Sequence, residues 1–263
     1  MPSSSIEALG RLISRQVAGH RARALLRTAY TLVGVQMKYF PPKNVLPARC
    51  AMQGDTARSM AAALGRPGRA ACVNIFLPCE VLHALHIPPV LPEGLSCYLV
   101  STAAERVFVE AAEERGVPES YCSYHKILLG LAETGVMARP RFILNTSLAC
   151  DANQLTFRRL AEFWDIPRFT GDGPYAPSEE SVAQVAAVRM EIGISDSDAL
   201  RAAVARSRAT VEGYHRYLSL RAERSLSDEM TSEMLSVFAT HSMLGSPEAL
   251  RYTEQLCAQV AAL

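Results

Sequence analysis

Between residues 70 and 170 the chain alternates short apolar runs with longer segments of helical period, and this alternation limits the fold more than any other feature. "AACVNIF" (70–76), "SCYLVS" (96–101), "RFILNTS" (141–147) and "IPRFT" (166–170) are short and mostly apolar, as strands are. "CEVLHALHI" (79–87), "TAAERVFVEAAEERG" (102–116), "KILLGLAETG" and "NQLTFRRLAEFWD" (153–165) have helical spacing. Strands that alternate with helices predict βαβ units, and so an α/β fold with a mainly parallel sheet and helices on both faces. In such sheets ligands sit beyond the carboxyl ends of the strands, which directs attention to residues just after each strand.

The flanks are helical. Residues 4–35 predict a helix, "KYFPPKNVLPARC" interrupts it with three prolines, and "TARSMAAALGRPG" predicts a helix closed by a Gly/Pro turn. "TGDGPYAPSEE" is a Gly/Pro-rich connector, and from Ser181 onward the pattern is helical almost without a break. A capping-box-like Ser195-x-x-Asp198 opens that part. The expected organisation is an N-terminal helical segment over 1–45, an α/β domain over 46–178 and a helical C-terminal segment over 179–263. No internal repeat or low-complexity tract interrupts it.

The 263 residues are 49% apolar, enough for a sizeable core, and the net charge of +1 gives no global attraction for nucleic acid. The first 30 residues resemble a leader only superficially. Glu7, Arg11, Arg15, Arg21 and Arg23 break any apolar h-region, and Ile6, Leu9, Leu12 and Ile13 have amphipathic spacing instead. No apolar stretch is long enough to span a bilayer. The expected location is the cytoplasm, with no membrane and no nucleic-acid partner.

Seven cysteines, an odd number at wide spacings and without a C-x-x-C pair, argue against both a disulfide framework and a zinc ribbon. No P-loop and no G-x-S-x-G elbow is present. His83 and His86 lie three apart on one predicted helix face, a spacing able to bind a metal, but no third ligand adjoins and a helix surface is the plainer reading. Cys122, in "ESYCSYHKILLG", opens a helical run, and Cys150 lies between the strand "RFILNTS" and the helix "ANQLTFRRL". A thiol at a loop–helix junction meets the positive end of a helix dipole, which favours thiolate, the form that nucleophiles and iron–sulfur clusters need. Locally, three readings of Cys122 stay open: a nucleophile with His125 as base, a metal ligand, or a buried apolar residue.

Six segments in order resemble the 2-hydroxyacyl-CoA dehydratase and benzoyl-CoA reductase family, subunits of the D-component type. They are "FLPCEVLHALHIPPV", "YCSYHKILLG", "NTSLACDANQLTFRRLAEF", "IPRFTGDGPY", "IGISDSDALRAAVARSRAT" and "MLSVFATHSMLGSPEALRYTEQL". The resemblance implies Rossmann-like α/β domains with helical additions, the first formed by this chain. It also implies a [4Fe-4S] cluster between two such domains, a partner subunit, and an ATP-hydrolysing activator protein that injects an electron. In the catalytic members an acyl-CoA thioester is reduced and loses its hydroxyl. Carried over by motif, Cys122 and Cys150 become cluster ligands, and Glu80 becomes the Pro-x-Glu acid beside the substrate. Cys257, in the predicted terminal helix, reads as structural.

The chain departs from the family pattern in two ways. Ser123 replaces the proline that follows the first motif cysteine, and "CAQVAAL" falls about where a second domain, with its further ligand, is expected to begin. Cys79 or a cysteine of a partner chain then becomes the candidate third ligand. The expected function is an iron–sulfur subunit of a 2-hydroxyacyl-CoA dehydratase-like or aryl-CoA reductase-like enzyme. The alternatives are a non-catalytic assembly or binding relative without a cluster, and a thiol enzyme using Cys122 and His125.

Overall fold

A computed structural model describes residues 3–15, 19–148, 150–171, 179, 197–224, 226, 236–237 and 240–263. Two helices, α1 (Ser3–Arg15) and α2 (His20–Tyr39), form the expected N-terminal helical run. The single helix expected over 4–35 is divided at Gly19, whose φ of 56° is left-handed and suits glycine. α3 (Pro47–Gly65) begins with proline in its first turn, where the missing N–H costs nothing, and packs closely on α2. Gly34 and Gly54 face each other across that contact and let the two backbones approach.

The sheet has four parallel strands in the order β2-β1-β3-β4: β1 (Ala71–Val73), β2 (Pro89–Val90), β3 (Phe142–Thr146) and β4 (Arg168–Gly171). Cys72 pairs with Val90 on one side and Ile143 on the other, and Leu144 pairs with Phe169. Alternation decides the packing. Cys72 and Ile143 point into a core built with Leu26, Leu64, Phe108, Ile127 and Phe157, whereas Ala71, Val73, Phe142 and Leu144 pack on Leu77, Leu82 and Ile87 on the opposite face. Both faces are covered, as the sequence pattern requires of a parallel sheet.

Between the strands run α4 (Glu80–Ala84), α5 (Pro92–Ser101), α6 (Glu105–Glu114), α7 (Ser123–Glu133) and α8 (Asp151–Trp164). One expected strand is corrected. "SCYLVS" is the end of α5, and the strand is Pro89–Val90, in the turn ahead of it. Pro92 starts the helix, and Leu95 and Leu99, four apart, are both fully buried. That is helical spacing, which a six-residue window beginning at Ser96 hides.

Two helices of the C-terminal part are described, α9 (Ser197–Glu223) and α10 (Pro247–Ala261). They pack on each other and on α3 around Met52, Tyr217, Tyr252 and Leu256. Ser246 caps α10 by accepting the Ala249 N–H at 3.2 Å. Ser195, of the expected capping box, and nearly all of the 170–180 connector lie outside the described residues. Among the described residues no helix is long and apolar enough to cross a membrane.

Candidate functional site

Cys122 and Cys150 occupy equivalent positions. Cys122 is the N-cap of α7 and Cys150 the N-cap of α8, and both are exposed. Each gives its carbonyl to its own helix: Cys122 accepts from the Lys126 N–H at 2.9 Å, and Cys150 from the Asn153 N–H at 2.9 Å. Neither cap side chain takes a hydrogen bond from its helix, so both thiols stand beside unsatisfied first-turn N–H groups. α7 packs against α8. The phenol of Tyr121 donates to the Ala152 carbonyl at 2.8 Å and, its one proton committed, accepts from Thr156 Oγ1 at 3.0 Å. The residue before Cys122 is therefore fixed to the first turn that follows Cys150.

His125 does not serve Cys122. It is 5% exposed, packs edge-on to Tyr121, and its Nδ1 is buried without a hydrogen-bond partner. Burial holds its pKa below the ordinary histidine value, and among the described residues no hydrogen bond joins it to Cys122. Lys126, also buried, forms an ion pair with Glu113 at 2.6 Å and donates to the Glu119 carbonyl at 2.9 Å, which fastens the loop ahead of Cys122.

Glu80 and Cys79 open α4. Glu80 accepts a hydrogen bond from Ser207 of α9, and Gly245, at φ 92°, packs so closely on Glu80 that a side chain there would collide with it. His83 Nε2–H donates to the Ser242 carbonyl at 3.0 Å in the same joint. Its pKa is lowered by burial, a shift that the Ser242 bond and the carboxylates of Glu248 and Glu80 oppose. His86 is not on the helix face of His83, contrary to expectation: α4 ends at Ala84 and His86 has a left-handed φ of 53°. Cys79 is wholly buried, with its thiol donating to the Leu77 carbonyl at 3.4 Å. Burial, followed by the nearby Glu80 carboxylate, pushes its pKa up, a setting for a thiol rather than a thiolate ligand. Among the described residues no three His, Cys, Asp or Glu side chains gather in a way that could hold a metal.

A polar network beneath the Cys150 junction escaped the sequence reading. Asn74, just after β1, donates from Nδ2 to the Thr146 carbonyl and to Asn153 Oδ1, each at 3.1 Å, and its Oδ1 accepts the Thr146 N–H at 3.0 Å. Asn153 Nδ2 donates to Glu93 Oε1 at 2.8 Å, and the Ile75 N–H reaches the same oxygen at 3.3 Å. Glu93 Oε2 is buried with no partner. Desolvation raises the Glu93 pKa from 4.5 to about 7, although its own amide, Asn153 and the Ile75 N–H all favour the carboxylate. The available signal was an asparagine near the end of each apolar run, in "CVNIF" and in "ILNTS", where a strand buried on both faces should be apolar.

A four-stranded parallel sheet covered on both faces and flanked by helices defines an α/β class of protein. The chain belongs to the 2-hydroxyglutaryl-CoA dehydratase D-component family, whose model matches residues 74–262, from the end of β1 through α10. Membership marks it as a dehydratase-type subunit that works with other dehydratase subunits. A search of curated proteins found no match.

Proposed function

We propose that the chain is the iron–sulfur subunit of a 2-hydroxyacyl-CoA dehydratase-like enzyme, and that Cys122 and Cys150 supply two of the thiolate ligands of a [4Fe-4S] cluster. One observation carries this reading: two exposed cysteines at the starts of neighbouring helices, with their junctions fastened by the Tyr121–Ala152 hydrogen bond. The donor set fits as a partial site. Thiolates suit such a cluster, and unsatisfied first-turn N–H groups lie beside both thiols. The remaining ligands come from a partner subunit or a further domain, since Cys79 sits in apolar surroundings. Held in part by Cys122 and Cys150, such a cluster would supply one-electron reduction of a thioester and Lewis-acid assistance to the loss of a hydroxyl. The reading includes an acyl-CoA substrate and an ATP-dependent activator protein. Glu80 acts here through position, since its carboxylate joins α4 to α9 through Ser207, and a role as acid requires that bond to open.

The test is anaerobic reconstitution with iron and sulfide, read as bound iron, bound sulfide and visible charge-transfer absorption, for the chain alone and as isolated with its native partners. Cluster signal lost in Cys122→Ser and in Cys150→Ser, and kept in Cys79→Ser and Cys257→Ser, is the expected pattern. A stable protein that stays iron-free in both preparations sinks the proposal and favours the non-catalytic relative.

A further inference from the structure

We infer that Glu93 is a positioning residue: through Asn153 it fixes the first turn of α8 and with it the placement of Cys150. This deepens the reading of Cys150 as a ligand, and it stands on a hydrogen-bond path that needs no metal. Glu93 Oε1 holds Asn153 Nδ2 at 2.8 Å, and Asn153 is the third residue of α8, its N–H bonded to the Cys150 carbonyl at 2.9 Å. The other end of the Asn153 side chain is gripped by Asn74, which also holds both the N–H and the carbonyl of Thr146 at the end of β3. The segment that carries Cys150 is thus clamped from both sides, by α8 and by the strand before it. Among the described residues nothing equivalent serves Cys122, which is held by Tyr121 and Lys126 instead.

The unpartnered Oε2 shows why a carboxyl matters here. A buried, unpartnered oxygen costs far more when it carries charge than as part of the neutral acid. Ionised, Glu93 is the stronger acceptor for Asn153 at Oε1, but the charge on its unpartnered Oε2 favours opening the site to water, and so ionisation loosens the turn. The titratable groups that face it are the thiols of Cys72 on β1 and Cys97 on its own helix α5, and both are themselves held as thiols by burial. Cys97 is also drawn into a hydrogen bond with Tyr124, two residues past Cys122.

The experiment is alkylation of the full-length, iron-free chain with iodoacetamide. Peptide-resolved mass spectrometry reads the rate at Cys150 relative to that at Cys122, so that the common dependence on pH largely cancels. The wild-type ratio is expected to rise between about pH 6 and about pH 8. Glu93→Ala should raise it about fivefold at the lower pH, the scale of one lost hydrogen bond in a local opening. Glu93→Gln, which keeps an oxygen acceptor for Asn153 and cannot ionise, should restore the wild-type low-pH ratio and hold it flat. Should Glu93→Ala fail to fold, Asn153→Ala removes the same relay and carries the same expectation. Equal changes at Cys122 and Cys150, a pH-independent wild-type ratio, or Glu93→Gln behaving as the alanine variant each overturn the inference. Because no iron is involved, the outcome is independent of whether the chain binds a cluster.

Discussion

The phenol of Tyr121 donates to the Ala152 carbonyl at 2.8 Å, and so one hydrogen bond ties the residue before Cys122 to the helix turn after Cys150. Thr156 completes the arrangement by donating to the same phenol oxygen. Tyr121→Phe keeps the ring against His125 and removes only the hydroxyl. Its expected cost is about 1 kcal/mol in urea unfolding. Thr156→Ala should cost a similar amount, and the double variant less than the sum of the two, because both remove parts of one network. Strict additivity would mean that the two hydroxyls act separately.

Glu93 gives the protein a pH dependence of known sign. Its folded-state carboxyl keeps its proton up to about pH 7, whereas an unfolded one releases it near 4.5. The folded state then binds more protons across that interval, so its stability falls as pH rises. The contribution is fully present below about pH 4.5 and is lost as pH climbs through 7, a change of about 3 kcal/mol for a shift of that size. Urea unfolding at steps from pH 5 to about pH 8 should show the decline in the wild type, and Glu93→Gln should remove most of it. A wild-type profile that is flat or rises over this range contradicts the assignment.

Hydrophobic periodicity carried most of the fold into view. β1, β3 and β4 were legible because their runs are apolar and bounded by turn residues, and α6 and α8 because their apolar residues recur at helical spacing. β2 was not, since two paired residues among prolines leave no periodic trace. The Cys122 and Cys150 junctions were legible as helix starts, because capping is local. The Glu93–Asn153–Asn74 network was not, because it joins residues 60 and 79 positions apart that only the folded sheet brings together. Asn74 and Asn145 in apolar runs pointed to buried polar partners without saying which ones.

Gly130 tests how closely α6 and α7 pack beneath the Cys122 junction. A Cβ there would fall on the Phe108 carbonyl, backbone that has no room to move. Gly130→Ala is expected to destabilise the fold by about 3 kcal/mol through overpacking. Gly116→Ala is the comparison: its φ of 87° is strained for alanine, but nothing lies within 4 Å of the added methyl. Its expected cost is about 1 kcal/mol. Equal thermal shifts for the two would show that the α6–α7 contact yields easily.

Lys126 separates the support of Cys122 from that of Cys150. Its ammonium is buried, 2.6 Å from Glu113 and 2.9 Å from the Glu119 carbonyl, so it fastens α6 and the loop ahead of Cys122 to the first turn of α7. Lys126→Met preserves the aliphatic stem and removes the charge. Glu113 is partly exposed, with 29% of its side-chain surface accessible, and so water can take over part of the lost interaction. The expected cost is about 2 kcal/mol, below that of breaking a fully buried pair. The loosened loop should also raise alkylation at Cys122 by about fivefold while leaving Cys150, fastened through Asn153, close to its wild-type rate. A rise at Cys150 as large as that at Cys122 would show that the two junctions move as one body, with Tyr121 as the rigid link between them.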